Sequence, residues 1–273
     1  MFADGPFGPR RSRKEGTLMQ RPGTLSFAIL ALLLFPPAWA NADIITGLTN
    51  HWTFDETSGV TAHDSVGGDD ATLSGFPSNQ PTWFPGKIGG SLNFIGASNY
   101  VITNAPISEN QYTIDFWLKV NGPGGINPRL VGPRDGNQSW IVISREFNKG
   151  VGFYYNHGAN LIQDPNPPAQ NIWENYATTI DLVAHTAAVY RNGVQVAAGT
   201  FTDHVPLADW VFGHNQDPNN TNDTLNGQLD DVRIYDRVLS ASDIAQLVPE
   251  PSSFVLAVFG LIGLAAWRWH RNR

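Results

Sequence analysis

The chain has 273 residues, no cysteine and a formal net charge of −7. The absence of cysteine rules out disulfides, thiolate zinc sites and cysteine nucleophiles. The charge is uneven, since residues 43–248 hold nine basic and 21 acidic side chains, a net of −12. A surface of this sign repels phosphate backbones and argues against nucleic-acid binding. It suits cations, or it serves only solubility.

The N-terminus carries the parts of an export signal, which predicts a signal peptide over residues 1–42. The apolar run from Leu25 to Phe35 is followed by Ala40-Asn41-Ala42, a suitable cleavage site before Asp43. A start at Met19 would give a compact signal peptide, and an uncleaved anchor is the alternative. Basic residues precede the run, namely Arg10, Arg11, Arg13, Lys14 and Arg21.

The C-terminus combines Pro249-Glu250-Pro251 with an apolar stretch and a terminal arginine cluster. We predict a transmembrane helix over 254–267, although the stretch is shorter than a comfortable span. Residues 249–273 closely resemble the PEP-CTERM sorting signal of Gram-negative bacteria. The resemblance implies an exported protein of the cell envelope, surface or extracellular matrix, held transiently in the inner membrane and processed by an exosortase-type enzyme. A plain C-terminal anchor is the alternative.

Residues 43–248 predict one all-β domain, because 27 Gly, 19 Pro and many aromatic residues accompany short runs of strand character. The clearest run is Tyr112–Val120, which alternates apolar and polar residues at period two. Asn192-Gly193 predicts a hairpin with a type I′ turn. Short strands at spacings near ten residues are typical of a sandwich or jelly roll.

One short helix is predicted near the end of this domain. Ser240 is a suitable N-cap, and Asp243 stands three residues later, where a capping box places its acidic partner. The helix is expected to run through Leu247.

Several segments, in order, resemble the LamG-like jelly-roll family within the concanavalin A-like lectin/glucanase fold. The closing segment is the most specific, and the segments are His51–Glu56, Asp64–Gly68, Pro85–Phe94, Tyr112–Trp117, Tyr190–Gly193 and Gly227–Ser240. The resemblance implies a two-sheet antiparallel jelly-roll sandwich, frequently a calcium ion, and binding of glycans or proteins.

Asp230 is the strongest single candidate for a metal ligand. Strand alternation places it on one face with Val232 and Ile234, which suggests an inward carboxylate that needs a partner. Asp55 and Asp64 are expected to converge with Asp230 on a calcium ion, because calcium prefers such oxygen ligands. The alternative is that these carboxylates only end strands or cap turns.

Aromatic side chains are the candidates for sugar stacking. Tyr154, Tyr155, Trp173 and Trp210 are expected in or near loops, where a ring can stack on a pyranose. Packing in the core is the commoner role of tryptophan in a sandwich.

The sequence lacks a catalytic signature. Hydrolases of this fold place paired carboxylates at short spacing on one strand, and no Glu-x-Asp-x-Glu pattern occurs here. Adjacent Asp230 and Asp231 are expected on opposite faces of their strand. We therefore predict a non-catalytic surface protein that binds carbohydrate or an envelope protein. A structural or adhesive protein without glycan binding and a glycoside hydrolase are the alternatives.

Overall fold

The computed structural model describes residues 44–78, 82–95, 99–106, 109–122, 128–133, 139–143, 149–155, 160–202, 209–214, 224–248, 268 and 270–271, all within one compact unit. The predicted signal peptide, the residues Pro249, Glu250 and Pro251, and the apolar stretch 254–267 lie outside them. Within the described ranges, no helix is long and apolar enough to span a membrane.

The described residues form two antiparallel sheets, as expected for a jelly-roll sandwich. Sheet A has the order β14-β13-β12-β7-β16-β5-β4, and β1 also pairs with β16. Its strands are β1 (Leu48–Trp52), β4 (Trp83–Pro85), β5 (Gly90–Ile95), β7 (Gln111–Val120), β12 (Trp173–Asp181), β13 (Thr186–Arg191), β14 (Val194–Thr200) and β16 (Asn226–Tyr235).

Sheet B has the order β11-β10-β9-β8-β15-β6-β3-β2. Its strands are β2 (Thr61–Ala62), β3 (Ala71–Ser74), β6 (Tyr100–Pro106), β8 (Arg129–Pro133), β9 (Ser139–Ile143), β10 (Val151–Tyr155), β11 (Asn160–Gln163) and β15 (Asp209–Phe212).

The core lies between the sheets and confirms the period-two prediction for β7. Tyr112, Ile114, Phe116, Leu118 and Val120 all point inward and are buried with side chains of sheet B. Aromatic pairs connect the two layers, because the ring centres of Trp52 and Phe212 are 5.2 Å apart and those of Tyr112 and Trp210 are 5.8 Å apart. The other residues of β7 therefore occupy the outer face of sheet A.

The predicted helix is confirmed as α1 (Ala241–Leu247). Ser240 accepts a hydrogen bond from the backbone N–H of Asp243, and the Asp243 carboxylate accepts one from the backbone N–H of Ser240. This capping box satisfies donors that the first turn leaves free. Ile244 and Leu247 pack on the outer face of sheet A and cover one end of it.

The predicted hairpin is also confirmed. Asn192 and Gly193 join β13 to β14 and have φ values of 50° and 78°. A type I′ turn needs positive φ at both central residues, and asparagine and glycine tolerate this conformation best.

The predicted alternation in β16 is wrong at one point. Asp231 has a φ of 57°, and the pairing of β16 with β7 shifts register between Asp230 and Arg233. This β-bulge inserts a residue, so Asp230 points to the outer face whereas Val232 and Ile234 point into the core.

Candidate functional site

The Asp230 carboxylate connects β16 to the turn between β4 and β5. Its Oδ2 accepts hydrogen bonds from the backbone N–H groups of Lys87, at 2.7 Å, and Ile88, at 2.9 Å, in the turn between β4 and β5. Its Oδ1 is buried and has no hydrogen-bond partner among the described residues. Burial raises the pKa of Asp230 to about 7, although the two backbone hydrogen bonds act in the opposite direction.

The Asp55 carboxylate also accepts a hydrogen bond from this turn. Its Oδ1 accepts a hydrogen bond from the backbone N–H of Gly90. A Cβ at Gly86 would lie 2.0 Å from the carbonyl oxygen of Gly90 and 2.5 Å from Oδ2 of Asp230. Glycine is therefore required there, because the backbone passes too close to its neighbours for a side chain.

Asp64 organises a different loop. Its carboxylate accepts hydrogen bonds from the backbone of His51, at 2.8 Å, and of Val66, at 3.0 Å, and from Nδ2 of Asn50, at 2.7 Å. Burial disfavours the charged form of Asp64, but these hydrogen bonds outweigh it and lower its pKa. Asp64 thus shares none of the hydrogen-bond donors that hold Asp55 and Asp230.

The predicted calcium ligands are therefore only partly assembled. Asp55 and Asp230 meet at one turn, and the unpartnered Oδ1 of Asp230 suits a hard cation. Asp64 belongs to another loop, and the described residues contain no group of three or more His, Asp or Glu side chains that could hold a metal ion. Two carboxylates leave most of the six to eight oxygen positions to backbone carbonyls and water.

Calcium binding at this turn stays a prediction with a defined test. If the ion binds Asp55 and Asp230, millimolar calcium should raise the melting temperature, because ligands of the native state stabilise it. Asp230→Ala should abolish the shift. Asp64→Ala should lower the starting stability but retain the shift, and equal shifts in all three proteins would contradict the site.

The aromatic candidates whose side chains the structure describes do not come together. Tyr154 lies in β10 on the outer face of sheet B, where the Arg129 guanidinium lies 5.4 Å from its ring centre. Tyr155 ends the same strand. Trp210 is in β15 rather than a loop and is only 2% exposed, because it packs against the Tyr112 ring between the sheets. Trp210 is thus in the core and presents no free ring for stacking.

Trp173 differs from the other three because it lies beside a lysine on the outer face of sheet A. It begins β12 and pairs with Lys119 of β7, whose Nζ lies 5.1 Å from its ring centre. Trp117 lies two residues before Lys119 in β7. Nζ of Lys87 lies 5.0 Å from the centre of the Trp117 ring. Such cation–π contacts hold an ammonium group in position.

Three buried polar atoms on this face have no hydrogen-bond partner among the described residues. They are Nε1 of Trp117, Oδ1 of Asn175 and Oε1 of Gln228. Asn175 pairs with Trp117, and Gln228 pairs with Lys119, so these side chains are neighbours. Buried polar groups normally have partners, so these three atoms lie beneath the surface without the hydrogen bonds that such atoms ordinarily form. The lysine–tryptophan face comprises Lys87, Trp117, Lys119, Trp173, Asn175 and Gln228.

A charged network lies beside this face. The Arg233 guanidinium contacts Asp231 and donates to Asp115 at 3.2 Å, and Nδ2 of Asn175 donates to Asp115 at 2.8 Å. His51 contacts Asp231 from β1. Burial raises the pKa of Asp115 to about 6, while Arg233 acts to lower it. The bulge thus brings Asp231 to the same side as Asp230, contrary to the expectation of opposite faces.

Sequence reasoning missed most of the lysine–tryptophan face. A usable signal existed, since the inward alternation of β7 places Trp117 and Lys119 together on the opposite side. Lys87 and Gln228 gave no such signal, because they reach this face only through the pairing of β16 with β7 and the turn held by Asp230.

The two antiparallel sheets, with the core between them, define a jelly-roll sandwich. The family model of the concanavalin A-like lectin/glucanases superfamily matches residues 95–245, and the chain belongs to this family. The PEP-CTERM protein-sorting motif matches residues 247–272 and indicates export to the bacterial cell envelope and exosortase-type processing. A search of curated proteins finds no match.

Solved structures share the fold. Domain 4 of an extracellular arabinanase from Geobacillus stearothermophilus, in complex with arabinotriose, is 22% identical with a TM-score of 0.59, covering 74% of this chain and 98% of that one. Trypanosoma rangeli sialidase is 14% identical with a TM-score of 0.52, covering 74% and 32%. The binding domain of botulinum neurotoxin serotype D is 14% identical with a TM-score of 0.54, covering 74% and 51%.

Proposed function

We propose that this protein is a non-catalytic, glycan-binding module of the bacterial cell surface or extracellular matrix. The observation that carries the proposal is the lysine–tryptophan face of sheet A. It combines the partly exposed Trp173 ring with the accessible ammonium groups of Lys87 and Lys119. Saccharides present apolar ring faces and many hydroxyls, so an aromatic ring beside hydrogen-bond donors is a suitable surface for them.

The backbone that carries this face supports a binding role. A rigid sheet, rather than a loop, holds every backbone position of the face except Lys87, which keeps its side chains in register. A related domain was solved with arabinotriose, although at 22% identity the likeness carries the fold alone. The sorting motif supports presentation outside the cytoplasm, with the C-terminal segment as a transient membrane anchor.

The carboxylates near the face support the non-catalytic part of the proposal. A glycosidase needs two carboxyl groups on either side of the scissile bond. Here Oδ2 of Asp230 is engaged by two backbone amides, Asp231 by His51 and Arg233, and Asp115 by Arg233 and Asn175, and all three side chains are at most 3% exposed. Groups held in this way have structural partners and stand in a poor position to attack or protonate a substrate.

A glycan array with the purified full-length protein, with and without calcium, tests the proposal. We expect saturable binding to at least one polysaccharide and no release of reducing sugar from it. Trp173→Ala should weaken binding about tenfold, since stacking and burial of one aromatic ring contribute roughly 1–2 kcal/mol. Tyr154→Ala, on the opposite sheet, is the matched control and should bind as the wild type does.

Two outcomes would replace the proposal. If no glycan on the array binds, and the protein self-associates or captures another envelope protein, a structural or adhesive protein is favoured. Release of reducing sugar would make the protein a hydrolase.

A further inference from the structure

Lysine is rare in the exported part of this chain, and two of its lysines lie on one face. Beyond residue 42 the sequence contains three lysines, Lys87, Lys119 and Lys149, within a region of net charge −12. Lys87 and Lys119 both belong to the lysine–tryptophan face. A negatively charged protein thus presents two of its few ammonium groups on the surface that the proposed function assigns to glycan.

These two lysines differ from the described arginines of sheet A in having no carboxylate partner. Arg191 is paired with Asp164 and Glu174, and Arg233 with Asp115 and Asp231. Neither Lys87 nor Lys119 forms an ion pair with any described residue, and each lies instead against a tryptophan ring. Lys87 is exposed and Lys119 partly exposed, so both charges are available to a ligand.

The Trp173 ring beside Lys119 suits the rest of a saccharide. It is partly exposed, whereas Trp117, Asn175 and Gln228 are at most 4% exposed and lie beneath the surface of the face. A partly exposed indole ring can pack against the apolar face of a sugar ring. Asp230, which pairs with Trp117 on this face, is buried, and its Oδ2 accepts hydrogen bonds from backbone amides of the turn that carries Lys87.

We infer that the lysine–tryptophan face binds an acidic saccharide, with Lys87 and Lys119 contacting the carboxylates of uronate residues and Trp173 packing against the apolar face of a sugar ring. This inference rests on the proposed function and names the chemical class of its ligand. Hydrogen bonds from ammonium to carboxylate are among the stronger ones in proteins, so the charge of the ligand should contribute much of its affinity. Binding should also weaken with added salt, because the lysines are accessible to solvent.

The test compares polygalacturonate with the same polymer after full methyl esterification, which removes the charge and retains the backbone. The wild-type protein should bind the acid form at least about tenfold more tightly. Lys87→Gln and Lys119→Gln should each lose affinity for the acid form, and the double variant should lose most of the preference. Lys149→Gln, outside the face and two residues before β10, is the matched control and should bind as the wild type does. Lys87→Arg should retain binding, and melting temperatures should establish that all variants are folded.

Four other results would contradict the inference. Equal binding of both polymers, or loss of binding in Lys149→Gln alone, would overturn the acidic ligand while leaving glycan binding intact. Absence of binding to any saccharide would overturn both proposals. Lysine-dependent binding to vesicles containing an anionic phospholipid, without saccharide binding, would assign the face to a membrane surface and overturn the inference.

Discussion

Replacement of Arg233 by alanine is expected to destabilise the domain by about 3–5 kcal/mol, the cost of leaving a buried charge without its partner. Arg233 is the cation between Asp115 and Asp231, and these carboxylates are only 0% and 3% exposed. Without the guanidinium, Asp115 must stay charged in the interior or take up a proton. Chemical denaturation monitored by tryptophan fluorescence would measure the loss.

Arg237 supplies the matched control. Its guanidinium binds Asp243 at 3.0 Å, but its side chain is 30% exposed and solvent can replace part of the contact. Arg237→Ala should therefore cost about 1 kcal/mol or less. The double variant Arg233→Ala/Asp115→Asn should recover part of the loss, because the uncompensated charge is gone. Similar losses in the two arginine variants would show that the Arg233 network is not a buried ion pair.

The free energy of unfolding is expected to decrease as the pH rises from about 4 to 7. Burial raises the pKa of Asp115 to about 6 and of Asp230 to about 7, above the ordinary value of 3.8. Between the ordinary pKa and the raised pKa of each carboxyl, the folded state binds more protons than the unfolded state. The free energy of unfolding therefore falls with rising pH. Each pKa unit corresponds to roughly 1.4 kcal/mol. Urea denaturation at a series of pH values would measure this slope.

The variant Asp230→Asn measures how much of this pH dependence comes from the Asp230 carboxyl group. The amide cannot ionise but can still accept both turn hydrogen bonds, so the slope between about pH 4 and 7 should become shallower. Asp181→Asn is the control, since hydrogen bonds from Ala184 and Val183 lower the pKa of Asp181 and place its effect at acid pH. That variant should change the profile only below about pH 4. An unchanged slope in Asp230→Asn would contradict a raised pKa.

The sequence by itself determined the features that depend on neighbours in the chain. The alternation of Tyr112–Val120, the type I′ turn at Asn192-Gly193 and the capping box of Ser240 and Asp243 all appear as predicted. Each follows from local backbone geometry, which a few consecutive residues decide. The family segments likewise predicted the sandwich, because their order specifies the strands that must pair.

Tertiary structure decided what depends on residues far apart in the chain. The bulge at Asp231 turns Asp230 away from the core, and only the pairing of β16 with β7 reveals it. Trp210 is buried because its side chain packs between the two sheets, whereas Trp173 stays partly exposed at the start of its strand. The lysine–tryptophan face is assembled from β7, β12, β16 and one turn. Strand register between segments far apart in the chain is set by side-chain packing that no local pattern encodes.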